Sequence, residues 1–293
     1  MKPLGYNKDS NMVLPKRMDY HLHTAVTIDG NMHEMEACER ALVLGIQEIA
    51  FTNHVMLNQP DHLISPTAFT RHWESIQGYQ EQYPGLRILL GIEMDYYPGR
   101  EDEISDKIRF YEALIGRPFD LILGAIHDIN GGFFSNRAVA VDFFKNRDLV
   151  ATYREYYELA ACAVRSQLFD IMAHPDLIKK YTHQLTPFVP LESYKDAIEV
   201  YIAELVACGV GIEINTKGMK LPVREAYPSN QFLELYLARV RDSGSDPLIT
   251  IGSDAHKAMN IGYGFSEVYQ LLQHYNVSNL VSFDKREKSP FSI

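Results

Sequence analysis

Short apolar runs recur along the chain, separated by longer segments with helical spacing. The runs are MDYHLHT (18–24), QEIAFTNH (47–54), RILLGIEMDY (87–96), FDLILGAIH (119–127), FDIMAHP (169–175), GVGIEINT (209–216) and PLITIGSDAH (247–256). Intervening stretches such as NMHEMEACERALVLG (31–45) and LESYKDAIEVYIAELVACG (191–209) carry helix formers with apolar residues three and four apart. Near-continuous apolar strands alternating with amphipathic helices predict a parallel sheet covered by helices. Seven such units in 293 residues predict a single α/β domain, 1–293, closed as a β/α barrel and an incomplete relative of the eight-stranded kind. An open doubly wound sheet is the alternative. It lacks its usual glycine-rich phosphate turn after the first strand.

The polar residues gather at one end of these runs. Each run turns from apolar to ionisable toward its C-terminus: His21 and His23, then His54, then Glu93 and Asp95, then His127, then His174, then Glu213 and Asn215, then Asp254 and His256. Side chains alternate faces along a strand, so His21 and His23 point the same way. In a β/α barrel the C-terminal strand ends form the floor of the active site. Seven strands therefore aim groups of metal-ligand type at one mouth. His33, His62, His72 and His274 lie in loop or helical segments and read as surface residues.

Composition narrows the chemistry. With 46% hydrophobic and 23% charged residues the chain has ordinary soluble globular composition. A net charge of −10 argues against nucleic acid or an anionic membrane as partner, but a metal cluster could still attract an anionic substrate. Cys38, Cys162 and Cys208 are isolated and read as reduced thiols of a cytoplasmic protein. The N-terminal MKPLGYNKDSNMVLPKR has no apolar core for a signal peptide, and no run approaches a membrane span.

There is no HExxH helix, nucleophile elbow or P-loop. Imidazoles mixed with carboxylates suit Zn²⁺, Mn²⁺ or Fe²⁺ better than Mg²⁺ or Ca²⁺. His21, His23, Asp29, His54, Glu93, His127, His174, Asp254 and His256 supply enough ligands for three clustered divalent ions. Such a cluster can generate hydroxide near neutral pH and clamp phosphoryl oxygens during in-line displacement.

The motifs DYHLHT, FTNH, GIEMDY, GAIH, AHPDLIKKY, EINTKG and IGSDAH follow one another in the order of the polymerase-and-histidinol-phosphatase (PHP) family. Within that family the chain resembles the histidinol-phosphatase branch. The resemblance implies a distorted seven-stranded (β/α)₇ barrel of TIM type with a trinuclear centre. It implies one ion on His21, His23, Glu93 and Asp254, and a second on His127 and His174 bridged by Glu93. Asp29, His54 and His256 would hold the third. Glu93, Asp254 and His256 are the catalytic candidates. The implied reaction is phosphomonoester hydrolysis, that of L-histidinol phosphate to L-histidinol and phosphate in histidine biosynthesis.

Three positions depart from the family pattern. Asn53 stands where an acidic residue commonly precedes the histidine, Asp29 where histidine is frequent, and Lys220 where the branch usually has arginine. Lysine is a point charge without the two-pronged fork of arginine. Lys220, Arg224, Lys179, Lys180 and His183 are the candidates for contact with a small phosphorylated substrate. The alternatives are a PHP-type enzyme acting on a nucleotide or phosphopeptide, an amidohydrolase-like deaminase, and a non-catalytic metal-binding protein.

Overall fold

The computed structural model describes residues 16–145, 147–185 and 189–293, the side chains of 183–185 excepted. The expectation for the N-terminal segment thus falls largely on 1–15, outside the described residues. Seven parallel strands form one sheet: β1 (Met18–Leu22), β2 (Glu48–Val55), β3 (Arg87–Asp95), β4 (Leu121–Ala125), β7 (Ile171–Met172), β8 (Gly211–Asn215) and β9 (Ile249–Gly252). They lie in chain order, and the last returns to the first. His23 N–H donates to the Ala255 carbonyl at 3.0 Å, and Ala255 N–H to the His21 carbonyl at 3.3 Å. These bonds nearly close the barrel.

Between the strands run α1 (Glu34–Val43), α2 (Pro66–Gln82), α3 (Glu101–Ile115), α4 (Arg137–Lys145), α5 (Leu149–Arg165), α6 (Lys179–Leu185), α7 (Lys195–Cys208) and α8 (Asn230–Ser243), with α9 (Phe265–His274) after β9. Their ends follow local chemistry. Ser65 caps α2 by accepting from Ala68 N–H ahead of Pro66, whose missing N–H costs nothing at the first helical position. Asp148 caps α5 by accepting from Ala151 N–H. The strands are buried on both faces, by the helices outside and by one another inside, which explains their unbroken apolar runs.

Two short hairpins were not anticipated from the pattern. One, β5 (Asp128–Ile129) with β6 (Gly132–Phe133), extends the loop after β4. The other, β10 (Asn279–Asp284) with β11 (Glu287–Ser292), lies at the N-terminal end of the barrel. There Arg87, the first residue of β3, donates to Ser282 Oγ at 2.6 Å and to the Phe283 carbonyl at 2.5 Å. Arg286 reaches Asp170 at 3.0 Å. The hairpin covers the end opposite the histidines.

The fifth strand is shorter than its apolar run, because the chain turns at His174, whose φ is 30°. Asp254 also lies in the left-handed region at φ 49°. Non-glycine residues rarely adopt that conformation, and where they do the strain tends to sit at functional positions.

Candidate metal centre

All nine predicted ligands come together at the C-terminal end of the barrel. Their centre is Glu93, fully buried near the end of β3. Its Oε2 lies 3.2 Å from His21 Nε2, 3.5 Å from His23 Nε2 and 2.7 Å from His54 Nδ1. Its Oε1 lies 2.8 Å from His174 Nε2 and 3.7 Å from His127 Nε2. Asp254 Oδ1 is 3.5 Å from His23 Nε2 and 3.4 Å from His256 Nδ1. Asp29 Oδ2 stands between His54 Nε2 at 3.2 Å and His256 Nε2 at 3.1 Å. Donors about 2.1 Å from a common tetrahedral ion would lie about 3.4 Å apart, and the distances here run from 2.7 to 3.7 Å, on either side of that value.

The hydrogen bonds around the cluster leave its donors facing inward. His21 Nδ1 pairs with Glu213 Oε1 at 2.7 Å, and His127 Nδ1 with Asp95 Oδ1 at 2.7 Å. Each pairing leaves Nε2 as the free donor and fixes the ring. Glu213 Oε2 also accepts from the His174 backbone N–H at 2.9 Å, so one carboxylate orients two ligands. Both ring nitrogens of His23 are buried without a hydrogen-bond partner. His54 Nδ1 likewise makes no hydrogen bond despite its closeness to Glu93. Buried polar atoms without partners are costly, and a cation at the cluster would satisfy His23 Nε2, the nitrogen that faces Glu93 and Asp254.

Electrostatics agree with that reading. Burial, with His256 and His54 beside it, holds His23 well below the ordinary imidazole range. Burial opposes a charge on His54, yet Glu93 and Asp29 push it up to about 10. Burial alone would raise Glu93, but His54 and His21 hold it well below the usual carboxylate range. The cluster thus favours anionic carboxylates balanced by positive charge, which divalent ions would supply in place of protons. The residues present fit such ions.

A cavity of about 350 Å³ opens over the cluster. Asp29, His54, His127, His174, Asp254 and His256 line its floor, and Ser135, Arg137, Lys180, Tyr181 and Lys217 its wall. Larger clefts beside β10–β11 and beside Tyr153 and Tyr157 hold none of the histidines.

The basic residues divide. Lys180, on α6, lines the cavity and donates to the Ser135 carbonyl at 2.9 Å. Lys179, next to it, points the other way, to Asp176 and Glu225 at 2.9 Å each. Lys220 donates to Asn260 Oδ1 at 2.6 Å and lies 3.9 Å from the Tyr263 ring centroid, outside the cavity. Arg224 is exposed on a turn at φ 56° and is not among the cavity residues. The His183 side chain lies outside the described residues.

Four residues escaped the sequence reading. Lys217 and Arg137 line the cavity although neither was named as a candidate, and Lys217 lies within the motif EINTKG. For Lys217 a signal existed: it follows the strand-end Asn215 by two residues. His62 and His72 are not the surface residues expected. His62 stands at the cavity rim, with Nδ1 3.9 Å from Asp29 Oδ1. His72 is buried, bonded to Glu34 and facing Asn53 Nδ2 at 3.2 Å. Asn53 Oδ1 accepts from Thr24 N–H at 2.8 Å and so holds the start of the loop carrying Asp29.

Comparison with known proteins agrees with this architecture. The PHP domain matches residues 19–217. A probable histidinol-phosphatase of Deinococcus radiodurans is 29% identical over 286 residues, covering 93% of this chain and 98% of the relative. The histidinol-phosphatase of Bacillus subtilis is 24% identical, covering 85% and 97%. The crystal structure of histidinol phosphate phosphatase from Lactococcus lactis, complexed with Zn, L-histidinol and phosphate, superposes with a TM-score of 0.75 at 20% identity, covering 93% and 98%. With more than half its length inside the match, and a seven-stranded barrel gathering histidines and carboxylates at one mouth, this chain belongs to the PHP domain family.

Proposed function

We propose that the protein is a metal-dependent phosphomonoesterase that hydrolyses L-histidinol phosphate to L-histidinol and phosphate. The observation that carries this is the cluster of nine inward-facing ligands beneath a cavity walled by Arg137, Lys180 and Lys217. His21, His23, Glu93 and Asp254 would hold one ion, His127, His174 and Glu93 a second, and Asp29, His54 and His256 a third. Zn²⁺, Mn²⁺ and Fe²⁺ all suit these donors. Bound there, such ions would activate water and offset charge on a phosphoryl group.

The chain's own residues do the rest. Glu213 and Asp95 keep the Nδ1 protons of His21 and His127, presenting Nε2 to the cluster. The cationic wall of Arg137, Lys180 and Lys217 suits an anionic substrate, and the cavity limits it to a small phosphomonoester. The curated relatives carry histidinol-phosphatase names across nearly their whole length, which supports this substrate and a place in histidine biosynthesis. Among the described residues no helix is long and apolar enough to cross a membrane. A cytoplasmic location is proposed from the reduced cysteines and the biosynthetic role.

The test combines metal analysis of the purified protein with phosphate release from L-histidinol phosphate. Three equivalents of divalent metal and chelator-sensitive release are expected. Release from a nucleotide or phosphopeptide but not from histidinol phosphate would refute the substrate and leave the chemistry. Full turnover after complete metal removal would refute the chemistry.

A further inference from the structure

Loss of the branch's arginine at position 220 leaves open which residue after β8 meets the phosphate. Lys220 is spent: its ammonium is bonded to Asn260 and lies on the Tyr263 ring, outside the cavity. Lys217, three residues earlier, is differently placed. Its backbone N–H donates to Asn215 Oδ1 at 3.0 Å, and the preceding Thr216 N–H donates to the Gly252 carbonyl at 2.9 Å. The side chain therefore leaves from a pinned turn at the barrel mouth. Its Nζ reaches Asp254 Oδ1 at 2.7 Å and His256 Nδ1 at 3.5 Å, against the floor of the cavity.

We infer that Lys217, and not Lys220, holds the phosphoryl group of the substrate, pairing with Lys180 as a two-ammonium clamp above the metal ligands. The two lysines come from different elements, the turn after β8 and α6, and line one cavity. Each ammonium has three N–H donors, and the protein contacts leave donors over for a second acceptor. Lys217 is close enough for its charge to act with burial in pushing Lys180 down to about 8. Two such cations share a cavity stably when an anion stands between them, and a phosphomonoester dianion matches their combined charge. Lys217 thus brings a positive charge onto the cavity floor beside Asp254, where Lys220 does not reach. The clamp rests on the phosphomonoesterase reading of the site.

The probe is inorganic phosphate, titrated by calorimetry into the metal-loaded wild type and into Lys217→Ala, Lys217→Arg and Lys220→Ala, each assayed for bound metal. Lys217→Ala is expected to weaken phosphate binding, and to raise KM for a phosphomonoester more than it lowers kcat, by about ten- to a hundred-fold. Lys217→Arg should recover most of the loss. Lys220→Ala should leave both quantities within about twofold of wild type. The inference is overturned if Lys217→Ala binds phosphate like wild type, if Lys220→Ala loses as much, or if added metal restores phosphate binding to Lys217→Ala. Should wild type spare histidinol phosphate while the variants show the expected pattern with phosphate and p-nitrophenyl phosphate, the named substrate fails and the clamp stands. A wild type that neither binds phosphate nor cleaves any phosphomonoester overturns both.

Discussion

Gly252 ends β9 directly behind the cluster, and Gly252→Ala tests whether the packing of the supporting carboxylates sets the metal site. A Cβ there would lie 1.9 Å from Glu213 Oε1 and 2.5 Å from the Cβ of His21. To reach ordinary contact, Glu213 Oε1 would have to retreat by roughly 1.5 Å. That oxygen is the partner of His21 Nδ1 at 2.7 Å, and its twin accepts from the His174 N–H. One methyl group would therefore loosen two ligands. Overpacking costs about 1–3 kcal/mol and the lost charged hydrogen bond about 1.5–3, so a destabilisation of roughly 3–5 kcal/mol is expected. Loss of such a supporting contact also weakens metal binding by about ten- to a hundred-fold. Urea unfolding of the metal-free protein measures the first quantity, and a metal titration followed by calorimetry the second. Gly78→Ala is the control, since a Cβ there meets nothing within 4 Å and its site is helical. An unchanged urea midpoint with metal affinity within about twofold of wild type would refute the reasoning.

Glu93→Gln keeps the shape of the central side chain and removes its charge, so kcat should fall by at least about a hundred-fold while far-UV circular dichroism is unchanged. Wild-type turnover in that variant would remove Glu93 from the cluster. Lys180, lowered by burial and by Lys217, loses its proton in the folded protein as pH rises through about 8. Between about 8 and 10.5 the unfolded chain then binds the extra proton, so this lysine's contribution to stability rises with pH across that window. Its hold on phosphate moves the other way, and KM should climb on the alkaline side. Lys180→Arg, charged throughout, should flatten that limb in a kcat/KM profile taken between about pH 7 and pH 10. An alkaline limb identical in the arginine variant would assign it to another group.

The seven strands and their polar ends were legible in the sequence because a buried parallel strand must be apolar until it emerges at the barrel mouth. His21, His54, Glu93, His127, His174, Glu213 and Asp254 mark that emergence, one change of character per strand. Burial pattern and ligand type are properties of short segments, so they survive without coordinates. The β10–β11 hairpin left no such mark, since its strand β11 is largely solvent-facing. Side-chain direction was not legible either. Lys179 and Lys180 are neighbours with the same chemistry, yet successive residues of a helix leave it about 100° apart, and only Lys180 enters the cavity. Lys217 and Lys220 sit on one turn, and the positions of Asp254, Asn260 and Tyr263, brought there from 37 to 43 residues away, decide which faces the cluster. His72 reads as a helix-surface residue until α2 packs it against Glu34 and Asn53. The barrel and the groups of metal-ligand type follow from local sequence pattern. Which cations face the cavity depends on partners distant in the chain, and so on the folded arrangement.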